Sequence, residues 1–458
     1  MKIGFISLPV VGHLNPMTAL ARRVQSRGHE VVFIGVPDVE RFAHAAGLKF
    51  VAFCENEYPA GSIAKLYAPV SSLHGLEVTR WSIREGLTGF FSAGSKHLPT
   101  KLAETGVEAL VIDTIQAFLE LVPMSLGMPY THVWNVLHTD LSGTTPPCFF
   151  GWPQESTPEA RIRNRNGVET AAEMFAPLIP LAMSYADKMG LEIDWRDFAA
   201  TTSKLAVITQ TPKEFDFPGI PWPAQFHYAG PFHDDYGREP IAFPWKKLSG
   251  NPLVYASMGT LVNGLGNVYK TILRAVGQLP EIQVVLSVGQ NAKPECLGPI
   301  PSNVIVVRAA PQIELLKRAA LCITHAGLNT ALESLAEGVP MVAIPIGYDQ
   351  PGVAARIAHH GVGEFVDIED VTVERLRELI EQVLNSPRYR AKARWFQNVI
   401  AQTRGLDLAA EVIERAFKWE LKRGRWSSAC STGACRADRI TTSKRSSNSP
   451  PAAPTARS

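Results

Sequence analysis

Short apolar runs and amphipathic helical segments alternate along the first part of the chain. Residues 2–8 are mostly apolar and β-favouring, which is typical of a strand buried on both faces. Asn15 followed by Pro16 combines a helix-capping residue with a proline suited to the first helical position, and Gly28 marks the end of that helix. Residues 30–36 are a second apolar run. The pattern therefore predicts a strand–helix–strand unit.

The same alternation recurs in both halves of the chain and predicts two domains. Further strands are predicted at residues 48–53, 109–113, 130–134 and 205–209 in the first half, and at 253–257, 284–288, 304–307, 321–324 and 341–345 in the second. Residues 231–251 show little periodicity and contain several glycines and prolines, as expected of a linker. We predict an α/β protein with two tandem Rossmann-like domains, residues 1–230 and 252–405, that face each other across a cleft, and a C-terminal helix at 406–424.

Composition and charge exclude several classes of protein. The 458 residues are 46% hydrophobic and 19% charged, a globular balance, and no apolar run approaches the roughly 18 residues of a membrane span. Residues 1–424 carry a net charge of −3, so they lack the excess of positive charge that is typical of proteins that bind nucleic acid. Residues 425–458 carry a net charge of +5 and are rich in Ser, Thr, Ala and Pro. We expect this tail to be a disordered appendage that leaves peripheral contact with acidic lipid open.

The cysteines and carboxylates predict no metal site. Six cysteines, at positions 54, 148, 296, 322, 430 and 435, follow neither a disulfide framework nor a metal-ligand spacing. No Asp-x-Asp pair follows a predicted strand. We therefore expect a cytoplasmic protein with no bound metal or cofactor.

A group of polar residues follows the fourth predicted strand of the second half. It comprises His325, Gly327, Asn329 and Thr330 in the turn and at the start of the next helix. Unpaired backbone N–H groups at a helix N-terminus favour an anion such as phosphate. Glu333 shares a helix face with Asn329, and a carboxylate there fits a ribose diol. Each residue alone is more simply a capping, core or solvated residue, but their order and spacing favour a nucleoside diphosphate.

The turn after the first strand contains a candidate catalytic base. His13 follows Gly12, near the expected cleft, and transfer to an alcohol needs a base for the hydroxyl proton. A helix that begins at Asn15 would disfavour the imidazolium and keep this base neutral. Asp113 ends a predicted strand and is a candidate to hold the other ring nitrogen. The alternatives are a helix-capping histidine and an ordinary strand-end carboxylate.

Residues 311–350 resemble the signature of nucleotide-sugar-dependent glycosyltransferases, which include plant secondary-product enzymes and bacterial macrolide glycosyltransferases. The matching residues are Pro311, Gln312, Thr324, His325, Gly327, Asn329, Thr330, Glu333, Gly338, Val339, Pro340, Asp349 and Gln350. Residues 349–361 resemble bacterial zeaxanthin glucosyltransferases in particular, and residues 255–260 resemble the opening of their second domain. Ala309 and Leu328 stand where plant members have tryptophans, which bacterial members often lack.

The resemblance implies a GT-B-type fold and a role for each matching residue. His325 and residues 327–330 would hold the diphosphate, Glu333 the ribose, and Gln312 would lie by the uracil. Asp349 and Gln350 would bind sugar hydroxyls. The implied donor site is Gly12, Ser257, Gly259, Thr260, Gln312, His325, Gly327, Asn329, Thr330, Glu333, Asp349 and Gln350, and the implied catalytic pair is His13 and Asp113.

The implied reaction is inverting, metal-independent sugar transfer, with glucose from UDP-glucose as the favoured donor and the UDP-sugar as co-substrate. The acceptor would be a hydroxyl group of a lipophilic molecule such as a flavonoid, carotenoid or polyketide. Aromatic residues of the first half predict an apolar acceptor pocket, although core packing is the alternative for each one. The candidates are Trp81, Phe91, Phe118, Trp134, Phe149 and Phe150, the last two in a loop-like cluster at 149–152 that we interpret as a mobile lip.

Three other functions stay open at the level of sequence. A sugar-nucleotide epimerase of the same two-domain fold would convert the donor without an acceptor, and the aromatic-rich first half argues against it. A nicotinamide oxidoreductase would need a Gly-x-Gly-x-x-Gly turn after the first strand, which residues 9–13 lack. A non-catalytic binder would bind the sugar nucleotide and never release UDP.

Overall fold

The first part of the chain folds around a seven-stranded parallel sheet. The computed structural model describes residues 1–234, 241–261, 264–289 and 297–422. The strand order is β3-β2-β1-β4-β5-β6-β7. The strands are β1 Lys2–Ile6, β2 Glu30–Gly35, β3 Lys49–Ala52, β4 Ala109–Asp113, β5 Tyr130–Trp134, β6 Val207–Thr209 and β7 Phe226–Tyr228. Because β1 and β4 are almost wholly buried, they read as continuous apolar runs, as central parallel strands do.

The helices of this domain connect its strands. They are α1 Val11–Ser26, α2 Glu40–Ala45, α3 Ser62–Tyr67, α4 Leu76–Trp81, α5 Thr88–Thr105, α6 Leu121–Leu126, α7 Pro158–Met174 and α8 Ile179–Met189, with a π-helical turn at Ser82–Leu87 and 3₁₀ turns at Pro37–Val39, Ala68–Ser72 and Lys213–Phe215.

The second part folds around a six-stranded parallel sheet in the order β10-β9-β8-β11-β12-β13. Its strands are β8 Leu253–Ser257, β9 Gln283–Ser287, β10 Val304–Val307, β11 Ala319–Thr324, β12 Met341–Ala343 and β13 Gly363–Phe365. Its helices are α9 Gly266–Val276, α10 Gln312–Leu316, α11 Leu328–Ala336, α12 Gln350–His359, α13 Val373–Asn385 and α14 Pro387–Gln402. The predicted fold class, two α/β domains in tandem, is confirmed.

The first helix begins four residues earlier than the sequence pattern indicates. It starts at Val11 and not at Asn15, so His13 lies in its first turn and Pro16 lies inside it. Pro16 has no N–H group, and its hydrogen-bond partner in a regular helix would be the carbonyl of Gly12, four residues earlier. That carbonyl is therefore available to another part of the molecule, and Asn329 of the second domain donates a hydrogen bond to it.

Two short strands were not predicted from the sequence pattern. β7 and β13 each have three residues, too few for a run of apolar positions to stand out from a loop. The predicted strands at 205–209 and 341–345 shorten to Val207–Thr209 and Met341–Ala343. The tail at 425–458, and residues 235–240 of the predicted linker, lie outside the described residues.

The last helix, α15 Gly405–Lys422, returns to the first domain and packs on α1. Phe417 and Ile413 are fully buried in that contact. Arg23 of α1 lies 2.9 Å from Asp407, and Arg27 lies 2.8 Å from Glu414. The predicted helix at 406–424 thus follows the second domain in the chain but packs on the first. In the part of the chain that the structure describes, no helix has the length and apolar character of a membrane span.

Buried polar contacts join the two domains beside the cleft. Arg356 of α12 is 1% exposed and donates hydrogen bonds of 2.8 and 3.1 Å to Asp216, which follows the Lys213–Phe215 turn. Asp216 also accepts hydrogen bonds from His138 (2.7 Å) and Tyr228 (2.5 Å). A buried charge that loses its partner is strongly destabilising, so this network holds the second domain in a defined position against the first.

Candidate active site

A cavity of about 1410 Å³ lies between the two domains. The carboxyl ends of β1 and β4 face it from one side, and those of β8 and β11 face it from the other, which are the points where each strand order reverses. Every residue predicted for the donor site lines this cavity: Gly12, Ser257, Gly259, Thr260, Gln312, His325, Gly327, Asn329, Thr330, Glu333, Asp349 and Gln350. His13 lines it as well, with Asp113 directly behind it.

His13 and Asp113 form a buried hydrogen-bonded pair. Nδ1 of His13 lies 2.7 Å from Oδ2 of Asp113, at the end of β4. The same oxygen accepts hydrogen bonds from the backbone N–H of Leu8 (3.1 Å) and the hydroxyl of Ser7 (3.2 Å). These bonds fix the carboxylate, which in turn fixes the orientation of the imidazole. Nε2 of His13 is then the ring nitrogen that can take a proton from a substrate.

The carboxylate, and not the helix, decides the pKa of His13. Burial alone would lower that pKa, but the charge and hydrogen bond of Asp113 outweigh burial and raise it. Burial likewise raises the pKa of Asp113, and the imidazole and the backbone N–H of Leu8 bring it below its ordinary value. The dipole effect that the sequence suggested for His13 is therefore overridden by a charge in direct contact.

Asn329 connects the second domain to the turn that contains His13. Its Nδ2 atom donates a 2.5 Å hydrogen bond to the carbonyl of Gly12, the group that Pro16 leaves unpaired within α1. Its Oδ1 atom accepts a 2.7 Å hydrogen bond from Gln210, which follows β6 in the first domain. Both ends of the Asn329 side chain are thus held by the opposite domain, at the start of α11.

The turn between β11 and α11 places an imidazole between two glycines. A Cβ atom at Gly327 would lie 2.5 Å from Nε2 of His325, and one at Gly259 would lie 2.6 Å from it. Gly259 also has a φ of +78°, which favours glycine. Burial lowers the pKa of His325 to about 4, and an interaction with the Ser257 backbone only partly offsets this. His325 is therefore neutral near pH 7 and can offer an N–H group, beside the unpaired backbone N–H groups that begin α11.

Gln312 and Glu333 are hydrogen-bonded to each other in the second-domain wall of the cavity. Nε2 of Gln312 donates to Oε2 of Glu333 at 2.6 Å and lies 3.3 Å from the hydroxyl of Thr330. Oε1 of Gln312 accepts a 3.0 Å hydrogen bond from the hydroxyl of Tyr255. The predicted uracil and ribose residues are therefore neighbours, and the carboxylate faces the cavity one helical turn beyond Asn329.

Asp349 and Gln350 begin α12 and line the cavity through buried side chains. Oδ2 of Asp349 accepts a 2.7 Å hydrogen bond from the backbone N–H of Leu137 in the first domain, and burial raises the pKa of Asp349. Oε1 of Gln350 accepts hydrogen bonds from the backbone N–H groups of Ile346 (2.8 Å) and Gly347 (3.1 Å). The amide nitrogen of Gln350 is left as the group that can donate to a ligand.

The predicted acceptor residues divide into two groups. Phe118, Trp134 and Phe149 line the cavity. The other three predicted residues do not line it: Phe91 is buried in the core edge-on to Tyr185, Trp81 packs against Tyr67, and Phe150 stacks on Trp152. The placement of these three differs from the prediction: Phe91 is a core residue, Trp81 packs at the edge of the core, and Phe150 packs on a neighbouring ring of its own loop.

Several cavity residues were missed by sequence reasoning. His132 lies on β5 two residues before Trp134, so strand periodicity could have placed both on one face. Gln210 does not line the cavity but holds Asn329, and it immediately follows a predicted strand, where other site residues also lie. Asn135 is buried, and its side-chain amide has no hydrogen-bond partner among the described residues. Glu120 gave no signal at all, because it follows no strand and belongs to no motif.

The described residues contain no group of three or more His, Cys, Asp or Glu side chains arranged to hold a metal ion. The polar groups of the cavity wall are the imidazoles of His13, His132 and His325, amides, hydroxyls, carboxylates, the side chains of Arg41 and Lys317, and helix N-termini.

Residues 204–416 match the family model described as UDP-glucoronosyl and UDP-glucosyl transferase. Over almost the whole chain the protein is similar to characterised enzymes. It is 25% identical to the zeaxanthin glucosyltransferase of Pantoea ananas over 413 residues, covering 90% of this chain and 95% of that one. It is 27% identical to the demethyllactenocin mycarosyltransferase of Streptomyces fradiae, covering 90% of this chain and 86% of that one.

Solved structures share the fold. The glycosyltransferase of kitacinnamycin matches with a TM-score of 0.69 at 23% identity, covering 91% of this chain and 99% of that chain. A calicheamicin glycosyltransferase matches with a TM-score of 0.67 at 20% identity, covering 92% of this chain and 98% of that chain. The fold is therefore that of GT-B glycosyltransferases. The resemblance seen in the sequence is confirmed: the chain is related to the UDP-glycosyltransferases, and it is an enzyme of that kind.

The pairing of His13 with Asp113 can be tested without a substrate. Asp113→Asn removes the charge that raises the pKa of His13 and leaves the burial that lowers it, so this pKa should fall below its ordinary value of about 6.5. An NMR titration of the histidine ring signals, with His13 assigned from the spectrum of His13→Gln, measures both values. An unchanged or higher pKa in Asp113→Asn would contradict the assignment.

Proposed function

We propose that this protein is an inverting, metal-independent glycosyltransferase that moves glucose from UDP-glucose to a hydroxyl group of a lipophilic small molecule. The observation that carries the proposal is the position of the His13–Asp113 pair. It faces the N-terminus of α11 across one cavity, and Asn329 hydrogen-bonds the turn that contains His13. A base and an anion site on opposite walls are the two groups that sugar transfer to an alcohol requires.

The donor would occupy the second-domain wall. The diphosphate would accept hydrogen bonds from the backbone N–H groups that begin α11 and from the neutral imidazole of His325. Glu333 would bind the ribose hydroxyls and Gln312 would lie by the uracil, while Asp349 and the amide nitrogen of Gln350 would bind hydroxyls of the sugar. The choice of glucose is supported by Gln350 and by the similarity to zeaxanthin glucosyltransferases.

The acceptor would occupy the first-domain wall, where much of the cavity surface is apolar. Its hydroxyl group would give a proton to Nε2 of His13 while its oxygen attacks the anomeric carbon from the side opposite the diphosphate. The C–O bond to the diphosphate would break as the new glycosidic bond forms, which inverts the anomeric centre. Asp113 would stabilise the imidazolium, and the N-terminus of α11 would stabilise the departing charge.

We also propose a cytoplasmic enzyme whose partners are a UDP-sugar and a small-molecule acceptor, with no nucleic acid and at most peripheral contact with a membrane. The net charge of −3 on residues 1–424 supports the absence of nucleic acid. Cys54, Cys148 and Cys322 are free thiols, which supports a reducing compartment.

His13→Ala should lower the rate of UDP release in the presence of acceptor by about 10²- to 10⁴-fold, the usual contribution of a general base. UDP affinity, measured by titration calorimetry, should stay near the wild-type value because all the proposed donor contacts except Gly12 lie in the second domain. His44→Ala, which changes an exposed histidine of α2, should leave both measurements unchanged. Equal losses of transfer and of UDP affinity in His13→Ala would argue against a base.

Gly327→Ala should weaken UDP binding by about 10-fold or more, the loss expected when a hydrogen bond to a charged group is removed. The added methyl group would displace the imidazole of His325. Gly266→Ala, at the first residue of α9, meets nothing within 4 Å and is the matched control. Calorimetry that finds wild-type affinity in Gly327→Ala would remove His325 from the diphosphate site.

Excess EDTA should leave the rate of transfer unchanged, because the leaving diphosphate would be stabilised by hydrogen-bond donors of the protein. The assay follows UDP release before and after dialysis against the chelator, and again after Mg²⁺ is restored. Loss of activity in EDTA and its recovery with Mg²⁺ would show that the transfer depends on a metal.

A further inference from the structure

The first-domain wall of the cavity contains a buried polar group that has no role in the proposed transfer of the sugar. Glu120 is 6% exposed and lines the cavity together with Thr201 and His132. The hydroxyl of Thr201 donates a 2.6 Å hydrogen bond to Oε1 of Glu120. The surrounding wall is apolar and includes Phe118, Trp134, Phe175, Ile179, Ile193 and Trp195. A carboxyl group therefore interrupts a surface that otherwise suits a lipophilic ligand.

The second oxygen of Glu120 faces an N–H donor across a gap. Nε2 of His132 lies 4.0 Å from Oε2 of Glu120, too far for a direct hydrogen bond. The backbone N–H of Ser203 donates to Nδ1 of His132 at 3.2 Å, so in the neutral ring the proton is on Nε2. Burial lowers the pKa of His132 to about 4, which keeps the ring neutral. The gap thus lies between a hydrogen-bond acceptor and a hydrogen-bond donor.

The charge of Glu120 has no cation to balance it. Among the residues that the structure describes, no lysine or arginine lies within ion-pair distance of Glu120. Burial raises the pKa of Glu120 to about 7, and hydrogen bonds from Thr201 and nearby backbone groups only partly offset this. A carboxyl group of this kind carries a cost that a leucine at the same position would not.

The backbone next to Glu120 is also unusual. Phe118 has a φ of +66°, in the left-handed region that residues with a side chain rarely adopt. This turn directs the ring of Phe118 and the carboxyl group of Glu120 into the same cavity wall. Ala326 and Tyr348, at φ of +63° and +55°, adopt the same conformation beside the proposed donor site. Backbone strain of this kind is concentrated at ligand sites.

We propose that Glu120 and His132 bind a second hydroxyl group of the acceptor, and so select lipophilic acceptors that carry more than one hydroxyl group. One hydroxyl would lie at Nε2 of His13, and the other would donate to Oε2 of Glu120 while its oxygen accepts from Nε2 of His132. A hydroxyl group fills this gap because it is both donor and acceptor. An ammonium group would leave the N–H of His132 unmatched, and an anion would meet a carboxylate. This inference deepens the proposed function and rests on it.

The test uses acceptor pairs that differ by one hydroxyl group. Apigenin and chrysin are such a pair among flavones, and resveratrol and pinosylvin are such a pair among stilbenes. Affinity is measured by quenching of tryptophan fluorescence in the presence of UDP, and kcat/KM by UDP release with UDP-glucose. The wild-type enzyme should prefer the hydroxylated member of at least one pair by about 10-fold or more, the value of a buried hydrogen bond to a charged group.

Glu120→Leu should reduce that preference to nearly equal affinities, with unchanged UDP affinity. Glu120→Gln retains an oxygen acceptor at the same place and should keep part of the preference. Glu173→Gln, the same change on an exposed carboxylate of α7, should keep all of it. A purely structural glutamate would change activity on both members of a pair alike.

Equal affinity of the wild-type enzyme for both members of both pairs would overturn the inference, as would a preference that survives in Glu120→Leu. The affinity ratios require no turnover. If no acceptor releases UDP, the proposed function fails, and the ratios still decide whether Glu120 binds a hydroxyl group.

Discussion

The two halves of this protein are connected by a hydrogen bond to a backbone carbonyl that lacks its usual partner within its own helix. Pro16 lies inside α1 and has no N–H group, so the carbonyl of Gly12 has no partner of the usual kind in its own helix. Asn329, at the start of α11, donates to that carbonyl across the cleft, and Gln210 holds the other end of the amide. The residue next to Gly12 is His13. The contact that joins the domains therefore also places His13, the proposed base, opposite the N-terminus of α11.

Buried carboxylates give the cleft its geometry because each must be matched by a specific partner. Asp113 is matched by His13 and by backbone donors, and Asp216 by Arg356 and His138. In a low-dielectric interior an unmatched charge is costly, so these partners cannot drift apart without a large loss of stability. The first pair orients a reactive group within one domain. The second network holds the domains against each other, so that both walls of the cavity stay in register.

Two histidines of the cleft, His13 and His325, have pKa values shifted in opposite directions, and each direction suits a different proposed task. The carboxylate of Asp113 raises the pKa of His13, which makes that ring a better proton acceptor. His325 has no such partner, and burial lowers its pKa to about 4. Its ring stays neutral between Gly259 and Gly327, where it can donate a hydrogen bond without carrying a charge of its own. In the proposed reaction, the departing diphosphate would be stabilised largely by the backbone N–H groups that begin α11.

The sequence by itself determined the alternating elements, the two-domain architecture and the polar residues that follow β1, β4, β8 and β11, because the periodicity of buried strands and the chemistry of turns are local properties. It also indicated the order of residues around His325, which is a local motif. Only the tertiary structure decided that α1 begins at Val11, that Asp113 controls the pKa of His13, and that Glu120 faces His132. These depend on residues far apart in the chain, and no periodicity records which of them meet. The aromatic residues show the same limit, since a ring in the core and a ring in the cavity wall obey one hydrophobic pattern and differ only in what packs against them.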